Sequence, residues 1–151
     1  MIKENLVFFI NDLMTDKDCL EFLVDKVDEC GLLTDKKEYL KAVYRREEEF
    51  STAIGFGVAI PHGRTDAVKE SFITFLKSDK PILWGENKTP SQLVFLIGVP
   101  DHEESLVHLK ILAQISRHLI DENFRADLLN CKTVKEAYAY LNEINNGIKG
   151  E

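Results

Sequence analysis

His62 is the side chain in this sequence whose neighbours point most clearly to chemistry. It stands in the run Ile60-Pro61-His62-Gly63, directly after the apolar residues Val58 and Ala59, which are typical of a buried strand. Proline fixes its own φ and lacks a backbone donor, whereas glycine permits a close backbone approach. A side chain on a tight turn fed by a rigid strand is positioned as a reactive group would be. The residues alone also allow a turn histidine that hydrogen-bonds only locally.

The histidines show no spacing that indicates a metal site. Zinc sites typically use two histidines four residues apart on a helix, or paired cysteines. His62, His102, His108 and His118 have no such partner. The sequence also lacks a G-x-x-x-x-G-K-[ST] phosphate loop and a complete dinucleotide fingerprint. We therefore expect neither a metal nor another cofactor.

Apolar periodicity predicts one strand and two helices in the first third of the chain. The apolar run over residues 6–10 is suited to a buried strand. Thr15 and the acidic Asp18 form a capping box before apolar positions at helical spacing, and Gly31 is a natural stop for that helix. Thr34 is the predicted cap of the second helix.

The pattern changes to strands in the centre of the chain and returns to helix in the last third. The β-branched and aromatic runs that predict strands cover residues 55–60, 72–76, 82–84 and 93–99. One helix is predicted to begin near Glu104, a short one surrounds Phe124, and a last one is capped by Thr133 with Glu136. Helices on both sides of a group of strands predict a sheet that is covered on both faces.

Composition limits the classes of function. Of the 151 residues, 44% are hydrophobic and 30% are charged, which is typical of a globular protein. The formal net charge is 19 − 26 = −7, which argues against a nucleic-acid binder. No apolar run approaches the roughly 18 to 20 residues that cross a bilayer, and the N-terminus makes a poor secretory signal. We expect a single domain over residues 1–151 that does not insert into a membrane.

Cysteine usage favours a reducing compartment. Cys19, Cys30 and Cys131 are odd in number and form no close pair in the sequence. This pattern is more typical of a cytoplasmic protein than of a disulfide scaffold. We expect all three to be buried or half-buried thiols.

A longer motif extends the case for His62. Arg46-Glu47 is followed by the sequence STAIGFGVAIPHG over residues 51–63. This motif closely resembles the active-site signature of the enzyme IIA components, fructose/mannitol type, of the bacterial sugar phosphotransferase system. Residues 93–100 and 108–117 match the same family, and the resemblance covers nearly the whole chain. It implies an α/β fold, a single three-layer α/β/α sandwich with a mixed central β-sheet.

The resemblance also implies roles for individual residues. In the family, the histidine after the Ile-Pro step is phosphorylated on a ring nitrogen, which here is His62. The second active-site histidine corresponds to His108 and the active-site arginine to Arg46. Thr52 stands in the Ser/Thr position before the glycines, where a hydroxyl could hold phosphate or the imidazole. On spacing alone, His108 would be a core histidine on the inward edge of its helix.

These residue types suit phosphoryl transfer. A neutral imidazole is a nucleophile near pH 7, and the protein mainly supplies positioning and charge stabilisation. Arg46 offers a planar fork for phosphate oxygens. Gly63 permits close backbone approach, and Arg64 could touch phosphate or a partner, or be a solvated surface arginine. The acidic run over residues 47–49 is expected to be solvated surface.

The family departs from this chain at two positions of the glycine turn. It often has glycine in place of Ala53 and a polar residue in place of Phe56, which bears on the shape of the turn and on the sugar class. The Ala-Ile-Pro-His-Gly-Arg turn over residues 59–64 and the loop that contains Trp84 nevertheless resemble the fructose branch more closely.

The implied partners are proteins. The histidine phosphocarrier protein HPr would be the phosphoryl donor, and a cysteine of an enzyme IIB would be the acceptor. No enzyme IIB phosphate loop and no membrane-spanning segment occurs in the sequence, which predicts a free-standing cytoplasmic enzyme IIA for sugar uptake. The alternative is a regulatory enzyme IIA of the nitrogen-related type, which signals through the same phosphohistidine.

Overall fold

The computed structural model describes residues 1–102 and 105–150, and over these residues the chain forms six strands and five helices. In chain order the elements are β1 (Ile2–Phe9), α1 (Asp16–Glu29), α2 (Lys36–Glu49), β2 (Ala53–Gly55), β3 (Val58–Ala59), β4 (His62–Arg64), β5 (Phe72–Trp84), β6 (Thr89–Val99), α3 (Ser105–Ile120), α4 (Glu122–Asn130) and α5 (Val134–Gly150).

The six strands form one mixed sheet around β5 and β6. The order is β1-β5-β6-β3-β2, and β4 also pairs with β6. β5 and β6 are antiparallel, whereas β1 is parallel to β5, and both β3 and β4 are parallel to β6. β2 folds back antiparallel on β3. The mixed sheet predicted from the sequence is thus confirmed.

Two apolar clusters lie on opposite faces of this sheet. One joins α1 and α2 to the sheet, with Leu23 and Val43 fully buried. The other joins α3, α4 and α5 to the opposite face through side chains such as Ile115, Leu128 and Leu141. This arrangement confirms the three-layer α/β/α sandwich. None of the helices in the described part of the chain combines the length and apolar character needed to cross a bilayer.

Local capping explains where several helices begin. The Asp18 N–H donates to Thr15 Oγ1 at 3.2 Å, and the Glu136 N–H donates to Thr133 Oγ1 at 3.1 Å. These two predicted caps are confirmed. The predicted cap at Thr34 is wrong. Its backbone N–H and its side-chain hydroxyl both donate hydrogen bonds to the carbonyl oxygen of Ala67. Asp35 caps α2 instead.

Other predicted boundaries also differ from the structure. The chain does not form one strand over residues 55–60. It forms the two short strands β2 and β3, and between them Phe56 adopts a left-handed backbone conformation with a φ of 59°. Residues 72–76 and 82–84 belong to one strand, β5, with an irregular register between them. The predicted helix start at Glu104 lies outside the described residues. Cys30 is exposed rather than buried, because it ends α1 at the surface.

Helix α2 lies unusually close to the sheet beside His62. The Tyr39 hydroxyl is fully buried and donates to the Ile97 carbonyl at 2.7 Å. A Cβ on Gly63 would lie 3.0 Å from Val43 Cγ2 and 3.1 Å from Tyr39 Cε1. Arg46 follows Tyr39 by seven residues, about two helical turns, and therefore projects from nearly the same face of α2. This contact positions Arg46 near the strand that carries His62.

We predict that Tyr39→Phe lowers the free energy of unfolding by about 1–2 kcal/mol, because the substitution removes a buried hydrogen bond to the Ile97 carbonyl. Urea denaturation with an unchanged m-value would measure the loss. Tyr140→Phe removes the same atom from an exposed side chain of α5 and should change the free energy by less than about 0.5 kcal/mol. Equal stability of the two variants would contradict this account of the contact.

Candidate active site

His62 is the first residue of β4, not part of the tight turn that the sequence predicts. It pairs with Ile97 of β6 in a parallel register. The Ile97 N–H donates to the Pro61 carbonyl at 3.0 Å, which fixes the chain directly before the histidine. Because β6 is a central strand of the sheet, the backbone of His62 rests on a rigid element.

The imidazole of His62 is held in one tautomer. Its Nδ1 lies 2.8 Å from the Ile60 carbonyl oxygen. A carbonyl oxygen only accepts hydrogen bonds, so Nδ1 carries the proton and donates it. The lone pair of the neutral ring is therefore on Nε2.

The surroundings of His62 favour the neutral ring. Burial lowers its pKa below the usual 6.5, and the charge of Arg46 acts in the same direction. The hydrogen bond to Ile60 and the carboxylates of Glu47 and Glu49 oppose this shift without reversing it. Above pH 6.5 the side chain is consequently neutral in most molecules, which is the form with an available lone pair.

His108 of α3 lies beside His62. The two ring centroids are 5.4 Å apart with an edge-to-face interplanar angle of 63°. Burial lowers the pKa of His108, and the positive charges of His62, Arg64 and Arg46 lower it further. Its Nδ1 is buried without a hydrogen-bond partner among the described residues. A buried ring nitrogen without a partner is costly, which fits a site that receives a polar group.

The two histidines open into a cationic pocket of about 440 Å³. Three arginines and one carboxylate belong to its wall, and small side chains leave room between them. The lining residues are Ala42, Arg45, Arg46, Glu49, His62, Gly63, Arg64 and His108. The structure therefore brings together His62, His108 and Arg46, for which the resemblance implies roles, with the further candidates Gly63 and Arg64, and it adds Arg45.

Hydrogen bonds to backbone carbonyls orient two of the arginines. Arg46 Nη1 donates to the Phe50 carbonyl at 2.9 Å. Arg64 Nη2 donates to the Asp101 carbonyl at 3.2 Å, and its Nε lies 3.7 Å from the Asp101 carboxylate. A guanidinium has five N–H donors, so the bond to Phe50 leaves further donors of Arg46 that can point into the pocket.

Thr52 does not line the pocket. The residue is 3% exposed and donates both its hydroxyl and its N–H to the carboxylate of Glu47. The hydroxyl is thus bonded to Glu47 rather than directed at the pocket where phosphate was expected. Sequence reasoning assigned Glu47 to solvated surface, although its position directly after Arg46 in the motif could have indicated a role.

Glu47 and Thr52 shape the segment that follows α2. Their bonds span five residues and close the chain between the end of α2 and the start of β2. The same segment contains the Phe50 carbonyl that orients Arg46. Thr52 therefore acts on the site indirectly, by holding the backbone that positions the arginine.

The other two histidines lie apart from the pocket. His102 is exposed, and its Nδ1 lies 3.7 Å from a carboxylate oxygen of Asp66. The Nδ1 of His118 lies 2.8 Å from the Gln114 carbonyl one turn earlier in α3, and its ring packs on Phe124. Within residues 1–102 and 105–150, His, Cys, Asp and Glu side chains form no group of three that could hold a metal ion.

Comparison with known proteins gives a consistent result. The family model described as "Phosphoenolpyruvate-dependent sugar phosphotransferase system, EIIA 2" matches residues 1–144. The fructose-specific EIIA component of Haloferax volcanii is 35% identical over 133 residues, which cover 86% of this chain and 84% of that protein. The 2-O-alpha-mannosyl-D-glycerate-specific EIIABC component of Escherichia coli is 30% identical over 84% of this chain, which spans only 20% of that longer protein.

Solved structures support the same fold. The nitrogen regulatory protein IIA-Ntr from Neisseria meningitidis superimposes with a TM-score of 0.83 at 22% identity, covering 93% of this chain and 95% of that one. Enzyme IIA for mannitol from Escherichia coli, solved in a complex with phosphorylated enzyme IIB, gives a TM-score of 0.78 at 22% identity, with coverages of 95% and 99%. At these identities the likeness concerns the fold alone.

We predict that His62 and His108 both titrate below pH 6.5, because burial disfavours their charged forms. Proton–nitrogen NMR spectra recorded over a pH series would measure both values. In His62→Gln the pKa of His108 should rise, since the charge that His62 carries when protonated no longer opposes protonation of His108. A pKa above 6.5 for either ring in the wild type would contradict the electrostatic account.

Proposed function

Because the chain belongs to the EIIA type 2 family of the phosphoenolpyruvate-dependent sugar phosphotransferase system, we propose that it accepts a phosphoryl group from HPr on His62 and passes it to a cysteine of an enzyme IIB. The observation that carries the proposal is the hydrogen bond from His62 Nδ1–H to the Ile60 carbonyl. It leaves Nε2 as the nucleophile of a side chain that lines an arginine-rich pocket.

In the accepting step, the Nε2 lone pair attacks phosphorus while the bond from phosphorus to the donor's ring nitrogen breaks. The donor imidazole leaves with the electron pair of that bond, and no proton is transferred. His62 then carries the phosphoryl group on Nε2 and keeps its Nδ1 proton bonded to Ile60. The carbonyl dipole stabilises the positive charge that develops on the ring.

Charge on the three equatorial oxygens requires donors in the pocket wall. Arg46 and Arg64 are held at that wall by backbone carbonyls, so little reorganisation is needed when the phosphoryl group arrives. His108 is close enough to His62 to donate a hydrogen bond to a phosphate oxygen. Its otherwise unpartnered Nδ1 supports this role.

In the donating step, a thiolate of enzyme IIB attacks phosphorus and the bond to His62 Nε2 breaks. The neutral imidazole returns in the same tautomer, because Nδ1 has kept its proton throughout. Both steps are therefore in-line displacements at phosphorus that use the same oriented ring. We propose that residues 1–151 form one domain that acts in this way.

We propose that the phosphoryl group passed on by this protein serves the uptake of a fructose-like sugar. The fructose-specific relative at 35% identity supports this choice, whereas the likeness to the nitrogen regulatory protein concerns the fold alone. The proposed donor would place the protein in the cytoplasm, and its three cysteines are free. The regulatory role remains the second candidate, because it would use the same phosphorylated His62.

We predict that His62→Ala abolishes phosphorylation by phosphorylated HPr, because the nucleophile is lost while the fold is retained. Intact-mass spectrometry before and after acid treatment would detect the acid-labile phosphoryl group. His102→Ala removes an exposed histidine outside the pocket and should be phosphorylated like the wild type. An acid-labile phosphoryl group on His62→Ala would refute the assignment.

His108→Ala should slow phosphorylation roughly 10²-fold without abolishing it, since one donor to the transferred group is removed. Rapid-quench measurement of the first turnover would give the rate. An unchanged rate would show that His108 only packs beside the active ring.

The acceptor separates transport from regulation. We expect radiolabelled phosphate on His62 to move to the active cysteine of a fructose-type enzyme IIB when a panel of purified enzyme IIB proteins is offered. Acceptance from HPr without transfer to any enzyme IIB of the panel would instead favour the regulatory role.

A further inference from the structure

The pocket contains one arginine to which the sequence assigns no role. Arg45 directly precedes Arg46 near the C-terminal end of α2, and its side chain lines the same pocket as His62 and His108. Consecutive residues of a helix point about 100° apart, so Arg45 and Arg46 approach the pocket from different directions. Ala42 lies about one turn before Arg45 and also lines the pocket. Its small side chain leaves space beside the Arg45 side chain.

Arg45 differs from the other two arginines in its contacts and exposure. Arg46 and Arg64 are half-buried, and each donates to a backbone carbonyl. Arg45 is exposed and makes no hydrogen bond or ion pair with any residue in the described part of the chain. Its guanidinium can therefore move without breaking a contact within the protein.

A mobile cation suits the proposed reaction, because the phosphoryl group changes position during transfer. Before transfer the phosphoryl group is attached to the donor protein, outside the pocket, and it moves inward as the bond to His62 forms. The guanidinium of Arg46 is held by the Phe50 carbonyl, so it is suited to binding the phosphate oxygens once the phosphoryl group has reached His62. A mobile cation at the mouth of the pocket can bind the equatorial oxygens earlier, when the negative charge is still outside.

Resting on the proposed function, we propose that Arg45 is a further catalytic residue, which contacts the equatorial oxygens of the phosphoryl group while that group moves between the donor and His62. The contact is made in the transition state and contributes little to binding of the donor protein. The covalent step is unchanged: one phosphorus–nitrogen bond breaks, another forms, and the guanidinium keeps all its protons.

Lys41 provides a matched control for Arg45. It lies one turn earlier on α2, is exposed, and does not line the pocket. Removal of either side chain changes the net charge by the same amount, so long-range attraction of the donor protein is affected similarly. Arg45→Lys restores the charge without the planar fork.

The experiment measures single-turnover phosphorylation of the full chain over a series of phosphorylated HPr concentrations. We expect Arg45→Ala to lower the maximal rate at saturating donor by about 10-fold with little change in the half-saturating concentration. Arg45→Lys should recover part of that rate, and Lys41→Ala should remain within about 2-fold of the wild type.

Two results would overturn this role for Arg45. An unchanged maximal rate with a raised half-saturating concentration would mean that Arg45 contacts the donor protein rather than the phosphoryl group. An equal fall in the maximal rate of Arg45→Ala and Lys41→Ala would mean that the rate depends on the net charge of the protein and not on a contact of Arg45 with the phosphoryl group. In both cases the wild type is phosphorylated on His62 and the proposed function stands, whereas a wild type that accepts no phosphoryl group would refute both proposals.

Discussion

The hydrogen bond between the His62 Nδ1–H and the Ile60 carbonyl is the interaction on which the rest of the site depends. It spans two residues of one backbone segment, and that segment is fixed by the pairing of His62 with Ile97. The bond decides which ring nitrogen has the lone pair, and burial keeps the ring neutral. In the proposed reaction, the arginines and His108 can assist only because this nitrogen is the one available to an incoming phosphorus.

Close packing of α2 against the sheet brings the positive charge that the proposed reaction requires to the pocket. Gly63 has no Cβ, so Val43 and Tyr39 approach its backbone more closely than any other residue type would permit without a shift. The same helix then carries Arg45 and Arg46 to the pocket. Because α3 approaches the site from the other face of the sheet, the histidine pair forms where both helical layers meet the short strand β4.

The fold class and several helix caps could be predicted from the sequence because they depend on local patterns. Thr15 and Thr133 cap helices through contacts three residues away. The errors arise from tertiary contacts, such as the Ala67 carbonyl that holds Thr34. At the site, the family resemblance predicted roles for the two histidines and Arg46, which line one pocket in the structure. It did not reveal the hydrogen bond between Thr52 and Glu47, nor that Arg45 lines the pocket, because both depend on side-chain geometry.

The proposed mechanism depends on which ring nitrogen of His62 carries the phosphoryl group. A long-range proton–nitrogen NMR spectrum of the isotope-labelled, phosphorylated protein distinguishes the two nitrogens and shows which one is coupled to phosphorus. We expect a phosphorus coupling at Nε2 of His62 and a retained proton on Nδ1. Phosphorus on Nδ1 would require the bond to Ile60 to break and would contradict the account.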